Sequence, residues 1–366
     1  MDYSEDKRVV LTLDAGGTNF VFSAIQGNNE IVEKVRFDSN GDNLEKSLNS
    51  IIKGFETITE QLREKPVAIS FAFPGPADYH LGIIGDLGNL PSYRGGVALK
   101  QMLEDRFKIP VFINNDGNLF VLGEAIAGFL PYINGLLEKA GSPKRYETLF
   151  GITLGTGFGG GFVSNGKLLI GDNSNAAEVW LLRNKLEREM NAEESVSIRG
   201  IKRFYSQESG ISFKETPEPI DIYEIATGKK KGDKEAAIKA FKRFGEIIGD
   251  ALSNAVTLFD SPVVIGGGLS GAYSLFLPEI MKEMNSVFHV YEGQKIDRLE
   301  AKVFNIEDGK DRENFVKGEV RKIKVPFSEK TIEYDPLKRI CVGLSKLGTT
   351  KAVSIGAYAF ALDMLG

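Results

Sequence analysis

Cysteine occurs once in this chain, at Cys341, and histidine only twice, at His80 and His289. A lone cysteine forms no internal disulfide, and one Cys with two His cannot build a Cys/His zinc site, so a reducing cytoplasm is the default compartment. Positive charge is not in excess either. The 45 Lys and Arg against 50 Asp and Glu leave a net charge of −5, which offers no basic surface to a nucleic-acid backbone or an anionic membrane. The first apolar run, Val9 to Leu13, is broken by Asp14, so neither a signal peptide nor a membrane span is expected there. Small molecules remain as partners. At 366 residues and 42% hydrophobic content the chain suffices for two α/β domains, each with its own core, and disorder is excluded as the dominant state. What the chain does have is glycine, 41 of them in bunches, and bunched glycine brings backbone close to a ligand.

Val9 to Leu13 reads as a buried strand, interrupted by Asp14-Ala15-Gly16-Gly17-Thr18-Asn19 and resumed by Phe20 to Ile25, which makes a hairpin with a glycine tip. Apolar residues at helical spacing predict a helix within 41–64, a strand over Val67 to Phe73 ended by Pro74-Gly75-Pro76, and a helix from about Ala98 to Phe107. The strand Val111-Phe112-Ile113 carries Asn114-Asn115-Asp116-Gly117-Asn118 at its carboxyl end, with a helix from near Leu119 through Ala127. The opening then recurs: a strand from Thr148 to Leu154, a turn Gly155-Thr156-Gly157-Phe158-Gly159-Gly160, and a second strand leading to an Asn165-Gly166 hairpin turn. Beyond it come an amphipathic helix over 234–258, the strand Pro262 to Ile265 and the triplet Gly266-Gly267-Gly268. The highly charged stretch 290–338 has little helical period and reads as an inserted lobe or long hairpin region.

Glycines at strand ends let backbone N–H groups point at phosphate oxygens, and threonine hydroxyls add donors. Three such loops suggest a nucleotide held between two halves. One of them, from Gly155 to Gly160, matches G-x-G-x-x-G letter for letter, but the dinucleotide fold needs a helix directly afterwards and here a hairpin follows, which argues against NAD. Asp14 and Asp116 end apolar strands, where a carboxylate has no packing use. Each could cap a following turn. As a pair they suit phosphoryl transfer, Asp14 for hydrated Mg²⁺ and Asp116 for the proton of the attacking hydroxyl, with Asn115 and Asn118 beside it to bond hydroxyl groups.

These residues together resemble the ROK family (repressors, open reading frames and sugar kinases) of the actin/hexokinase/Hsp70 superfamily. The resemblance rests on Leu13 to Asn19, Pro74-Gly75-Pro76-Ala77-Asp78, Asn89-Leu90-Pro91, Asn115 to Asn118 with Gly123-Glu124, Leu154 to Gly161, Val264 to Gly268, and Leu347-Gly348 with Ile355-Gly356-Ala357. It implies an α/β fold of two ribonuclease-H-like domains with a cleft between them, residues 1–115 forming the first and 116–350 the second, and a final helix within 351–366 packing back on the first. It also implies an ATP-dependent sugar kinase using Mg²⁺. Asp14, Gly16, Gly17, Thr18, Asn19, Gly155, Thr156 and Gly157 would hold the phosphates, and Gly266, Gly267 and Gly268 would lie by the adenosine. Gly75, Asn89, Asn115, Asp116 and Glu178 would face the sugar. The partners implied are a hexose or N-acetylhexosamine and ATP, with no nucleic acid and no membrane, and with a homodimer left open. A sensor that binds sugar without turnover is the alternative, and the family's repressors are disfavoured because only about eight residues precede the first strand. The family usually has Gly-Glu-x-Gly-His before a cysteine-rich zinc loop, whereas this chain reads Ala177-Glu178-Val179-Trp180-Leu181. Zinc and its histidine are therefore not expected, and Glu193 or Glu194 is left as a further sugar-contacting candidate.

Overall fold

The structure is a computed structural model that describes residues 3–16, 18–85 and 90–366. The N-terminal apolar run forms β1 (Val10–Ala15), and across the Gly16 turn follow β2 (Asn19–Gln26), β3 (Asn29–Glu30) and β4 (Val35–Asp38). Helix α1 (Leu44–Glu60) starts at Asn43, whose side chain accepts from the Lys46 amide, and buries Ile51, Phe55 and Ile58 on one face. Next come β5 (Ala68–Ala72), the short strands β6 (Ala77–Asp78), β7 (Ile83–Ile84) and β8 (Val97–Ala98), α2 (Leu99–Phe107), β9 (Val111–Asn114), α3 (Asp116–Ala127) and α4 (Phe129–Lys139). The second half runs through β10 (Thr148–Leu154), β11 (Phe158–Ser164), β12 (Lys167–Leu168), α5 (Ile198–Ser209), α6 (Pro219–Ala226), α7 (Lys234–Phe259), β13 (Val263–Gly266) and α8 (Tyr273–Met284). It continues with β14 (Val287–His289), β15 (Lys295–Asp297), β16 (Lys302–Asn305), α9 (Gly309–Lys317), β17 (Arg321–Lys324), β18 (Thr331–Tyr334), β19 (Arg339–Leu344) and α10 (Thr349–Leu365).

The chain divides into two compact units, one of Met1–Pro131, Gly161–Ala176 and Lys346–Gly366, the other of Tyr132–Gly160 and Ala177–Ser345. In the first, the sheet order is β3-β2-β1-β5-β9 with β4 also on β2. β1 pairs antiparallel with β2 and parallel with β5, which pairs parallel with β9. The second sheet repeats this order as β12-β11-β10-β13-β19, with β16 added at the edge beside β19, so the doubled strand, glycine turn and strand of the sequence is a doubled sheet topology. The first core is rich in aromatics, with Phe20 and Phe22 of β2, Phe55 of α1, Phe71 of β5, and Phe73 and Tyr93 from the segments after β5. Phe22 and Phe55 meet edge to face at 5.1 Å.

The first unit extends past the expected boundary at 115/116 because α3 packs on α10 within it. Both helices bring backbone to the crossing without side chains, at Gly123 and Gly356. Beside the crossing Glu124 is fully buried, and its carboxylate accepts from the amides of Phe129 (2.7 Å), Lys346 (3.2 Å) and Leu347 (3.1 Å). Three amides, one five residues on and two from just before α10, thus satisfy one buried carboxyl group. Among the described residues one helical stretch, Asp116–Lys139, has the length and apolarity of a membrane span. It is the pair α3 and α4, and α3 is buried from Gly117 to Ile126 as a core helix of the first unit.

The charged segment 290–338, expected as an inserted lobe or long hairpin region, holds the hairpin β17–β18 and more besides. It contains a helix, α9, and β16 inside it pairs parallel with β19 as part of the main sheet. Arg339, fully buried, anchors the segment's return. Its guanidinium donates to the Phe315 carbonyl at 2.6 Å and to the Asp335 carboxylate, whose other oxygen accepts from the amides of Glu319 (3.1 Å) and Leu337 (3.2 Å). Burial alone would raise the Asp335 pKa, but the Arg339 hydrogen bond, the amide bonds and the Arg339 charge outweigh it and hold the carboxyl below its ordinary value. A depressed folded-state pKa adds stability that is complete above the unfolded value and is lost as pH falls through the folded one. The urea midpoint should therefore fall as pH drops below about 4. Asp335→Asn should remove part of that acid sensitivity and lower stability at pH 7 by about 3 kcal/mol, because it leaves Arg339 buried without its counter-charge. An unchanged acid limb in the variant's urea titrations would refute the assignment.

Candidate active site

Register lines up the predicted residues of the first unit on one sheet edge. Asp14 of β1 pairs with Ala72 of β5, and Ala72 pairs with Asn114 of β9, so Asp14, the Phe73–Gly75 loop and the Asn115–Asp116 pair all leave the carboxyl ends of adjacent parallel strands. This is the edge at which open α/β sheets take ligands. The turn after Asp14 is drawn tight by the Gly16 amide bonding the Asn19 carbonyl at 3.0 Å. A Cβ on Gly16 would lie 2.9 Å from that carbonyl oxygen, so the loop accepts no side chain there. Thr18 is exposed, with its carbonyl tied to the Ser39 amide at 2.9 Å. Gly75 lies exposed in the loop after β5, where a Cβ would meet the Tyr79 hydroxyl at 3.1 Å. Gly17 and Asn89 lie outside the described residues.

Helix α3 begins three residues earlier than expected, at Asp116, because Asn115 is its cap. The Asn115 carboxamide oxygen accepts from the Asn118 amide at 2.6 Å. Capping, the alternative role for Asp116, is thereby taken by its neighbour. Asp116 bonds only the Gly117 amide, at 2.9 Å through Oδ1, and Oδ2 has no partner among the described residues. Asn118 stands in the first turn of α3. It is buried, and its side chain donates to Asn114 at 2.9 Å, stiffening the head of α3. Both carboxylates reach solvent, yet the protein crowded around them disfavours charge. Asp14 is raised above its ordinary pKa by burial and then by the nearby charge of Asp116, with Lys34 offsetting part. Asp116 is raised by burial against the pull of the amides at the head of α3. The charge of Asp116 raises the cost of charge on Asp14, and among the described residues no basic side chain is bonded to either, an arrangement that suits a hard divalent cation at Asp14.

In the second unit β10 and β13 pair in parallel, with Thr153 opposite Gly266, so the loops Gly155–Gly157 and Gly266–Gly268 leave the same sheet edge. Gly155 bonds its own turn through the Gly157 carbonyl, and its carbonyl accepts from the Ile198 amide at 2.9 Å, which ties the loop to the first turn of α5. Thr156 is exposed at the loop's apex. Gly267 adopts φ +87°, and a Cβ there would lie 2.3 Å from the Leu154 carbonyl, whereas Gly268 has open space around it. Glu178 is fixed by the Trp180 indole N–H. It is also set against the sheet by the next residue back, since a Cβ on Gly160 of β11 would lie 2.4 Å from the Ala177 carbonyl. Leu181 is exposed, and no three His, Cys, Asp or Glu side chains group as metal ligands among the described residues. Sequence reasoning missed the task of Glu193. Its carboxylate accepts from the Phe158 amide at 2.9 Å, and a Cβ on Gly157 would lie 2.8 Å from it, so it braces the glycine loop from below. Glu194 instead pairs with Arg199 at 2.6 Å.

Each unit thus carries glycine loops at the carboxyl ends of parallel strands, and the first also carries a carboxylate pair. The model of the ROK family matches residues 10–306, and the chain belongs to that family. Its fold is the two-domain actin/hexokinase type. A glucokinase from Parabacteroides distasonis of known crystal structure is 51% identical, with 99% of each chain covered and a TM-score of 0.90. The glucokinase of Thermotoga maritima is 28% identical over 73% of this chain and 84% of its own. The N-acetyl-D-glucosamine kinase of Vibrio cholerae is 28% identical over 74% of this chain and 87% of its own. These relatives, named as sugar kinases, together with the family give the enzyme class, a phosphotransferase with an alcohol acceptor.

Proposed function

We propose that the protein is an ATP-dependent sugar kinase that transfers the γ-phosphoryl group to a hydroxyl of a hexose or N-acetylhexosamine. The observation that carries this reading is Asp116 at the head of α3, relieved of capping by Asn115, with Oδ2 open beside Asp14. Asp116 Oδ2 takes the proton of the attacking hydroxyl, and its raised pKa makes it a stronger base than an ordinary carboxylate. Asp14 would hold Mg²⁺ through water, and the ion when bound would neutralise charge on the transferred phosphates. The loops at Gly16 and at Gly155 to Gly157, with the Thr18 and Thr156 hydroxyls, would face the phosphates, and Gly266 to Gly268 would flank the adenosine. Gly75, Asn115 and Glu178 would position the sugar, Glu178 being held by Trp180. Cytoplasmic location fits the composition.

Coupled ADP release with glucose, mannose, fructose, N-acetylglucosamine and N-acetylmannosamine tests the proposal, and glucose is the first choice because of the 51% identical glucokinase. Sugar binding with no ADP release on any of them would make the protein a sensor. Activity should vanish in EDTA and return with added Mg²⁺, while the folded state survives the chelator, because Leu181 and the lone Cys341 leave no zinc site to unfold. One equivalent of zinc by elemental analysis, or unfolding in EDTA by circular dichroism, would contradict this.

A further inference from the structure

Between Glu178 and α5 the chain makes a narrow hairpin. The Ala192 amide bonds the Leu182 carbonyl at 2.7 Å, Arg183 bridges antiparallel to Asn191, and the Asn184 amide bonds the Met190 carbonyl at 3.0 Å. Polar side chains hold it closed. Asn184, fully buried, accepts through Oδ1 from the amides of Leu186 (3.0 Å) and Glu187 (3.1 Å) and donates through Nδ2 to Ser195 Oγ at 2.8 Å. Ser195, also fully buried, donates to Glu187 Oε2 at 3.2 Å and accepts from Arg203 Nη2 at 2.8 Å. Its hydroxyl thereby uses its one proton and both lone pairs. Arg203 reaches in from α5 and grips Glu187 with its whole fork, Nη1 to Oε1 at 2.7 Å and Nη2 to Oε2, a pairing that a lysine could not reproduce. The same Nη2 donates to the Glu194 carbonyl at 3.5 Å, which is backbone next to Glu193.

We infer that Arg203 is a positioning residue for the glycine loop Gly155–Gly157 and acts on it through Glu193; this rests on the reading of that loop as one that faces nucleotide phosphates. Both ends of the loop are referred to a single helix. At its start the amide of Ile198, the first residue of α5, donates to the Gly155 carbonyl at 2.9 Å. At its end the Phe158 amide donates to Glu193 at 2.9 Å, and Glu193 stands two residues before Ser195, where Arg203 of the same helix takes hold. Loss of Arg203 releases the second end and leaves the first. Because the loop faces the phosphates both before and during transfer, its slackening weakens nucleotide binding more than turnover. Glu178 keeps its own clamp, since the Trp180 indole that bonds it lies on the other leg of the hairpin. Nucleotide and sugar therefore respond differently to the loss of Arg203, a split that a general loss of stability would not produce.

Isothermal titration calorimetry of the full chain with MgADP and with glucose, beside steady-state ADP release, tests the inference. Arg203→Met should weaken MgADP binding and raise the KM for ATP by about tenfold, with the glucose dissociation constant and kcat within about threefold of the parent. In a Glu193→Ala background the same substitution should change MgADP binding by less than about twofold, because the brace through which Arg203 acts is already gone. Glu187→Gln combined with Arg203→Met leaves neither charge of this largely buried pair without its partner. It should reproduce the loss in a chain whose circular dichroism is unchanged, and it takes the place of the single variant should that one fail to fold. Parental MgADP affinity in these variants would overturn the inference, as would equal weakening of MgADP and glucose, or full additivity with Glu193→Ala. A parent that binds MgADP yet phosphorylates no sugar would remove the kinase reading and leave the role of Arg203 standing, whereas a parent that binds no nucleotide would remove both.

Discussion

Asp116→Asn should lower kcat by about 10² to 10⁴ while leaving the dissociation constants for ATP and sugar within roughly tenfold of the parent. Phosphoryl transfer asks little covalent work of the protein, so most of the acceleration comes from positioning by the glycine loops, the metal and the sugar-binding side chains, which the variant keeps. The bond from the Gly117 amide to Oδ1 survives in asparagine; what is lost is the basicity of Oδ2. The raised pKa of Asp116 also sets the acid limb of kcat/KM above pH 3.8, the ordinary value, with activity falling as protonation removes the base. Since Asn115 is the cap, a variant with near-parental kcat could not be explained by capping, and it would move the base to another carboxylate, with Glu178 the next to substitute. Steady-state kinetics with equilibrium binding of each ligand separate the outcomes.

The parts of this design that were legible in the sequence are those in which neighbouring residues declare the structure. Apolar runs ending in Asp14-Ala15-Gly16 and in Leu154-Gly155 announced β1 and β10 with their turns, and the period of residues 234–258 announced α7, found at Lys234–Phe259. The start of α3 was misplaced because its cap lies within a run of polar residues, any of which could cap. Helix α9 left no helical period because only Phe315 of its nine residues is buried. β16 offers just Val303 and Phe304 to the core, too little to mark a strand in a charged stretch. The brace of Glu193 under the Gly155–Gly157 loop joins residues 35 positions apart, and the amides gathered by Glu124 come from up to 223 positions away. Such pairings are made by topology, and no local pattern carries them.

Gly356→Val should destabilise the first unit by about 3 kcal/mol or more, a large share of the 5–15 kcal/mol typical of a folded domain. The resemblance to the family marks Gly123 and Gly356 without saying why glycine stands there, and the crossing of α3 and α10 supplies the reason. A Cβ on Gly356 would lie 1.8 Å from the Leu119 carbonyl oxygen, and one on Gly123 would lie 1.9 Å from the Ala352 carbonyl oxygen. Backbone on both sides leaves no flexible side chain to give way, so the helices must part. Parting them costs packing of the buried neighbours Val353, Ala357 and Phe360 along α10. Because Asp116 heads α3, the variant should also lose activity in proportion to the displacement of that helix, and cooling should not restore it. Gly135→Ala on α4 is the matched control. There a Cβ meets nothing within 4 Å, and replacing glycine inside a helix should be neutral or stabilise by up to about 1 kcal/mol. Urea unfolding of the three proteins decides the matter. Equal midpoints for Gly356→Val and the parent would mean that α3 and α10 do not cross at these glycines.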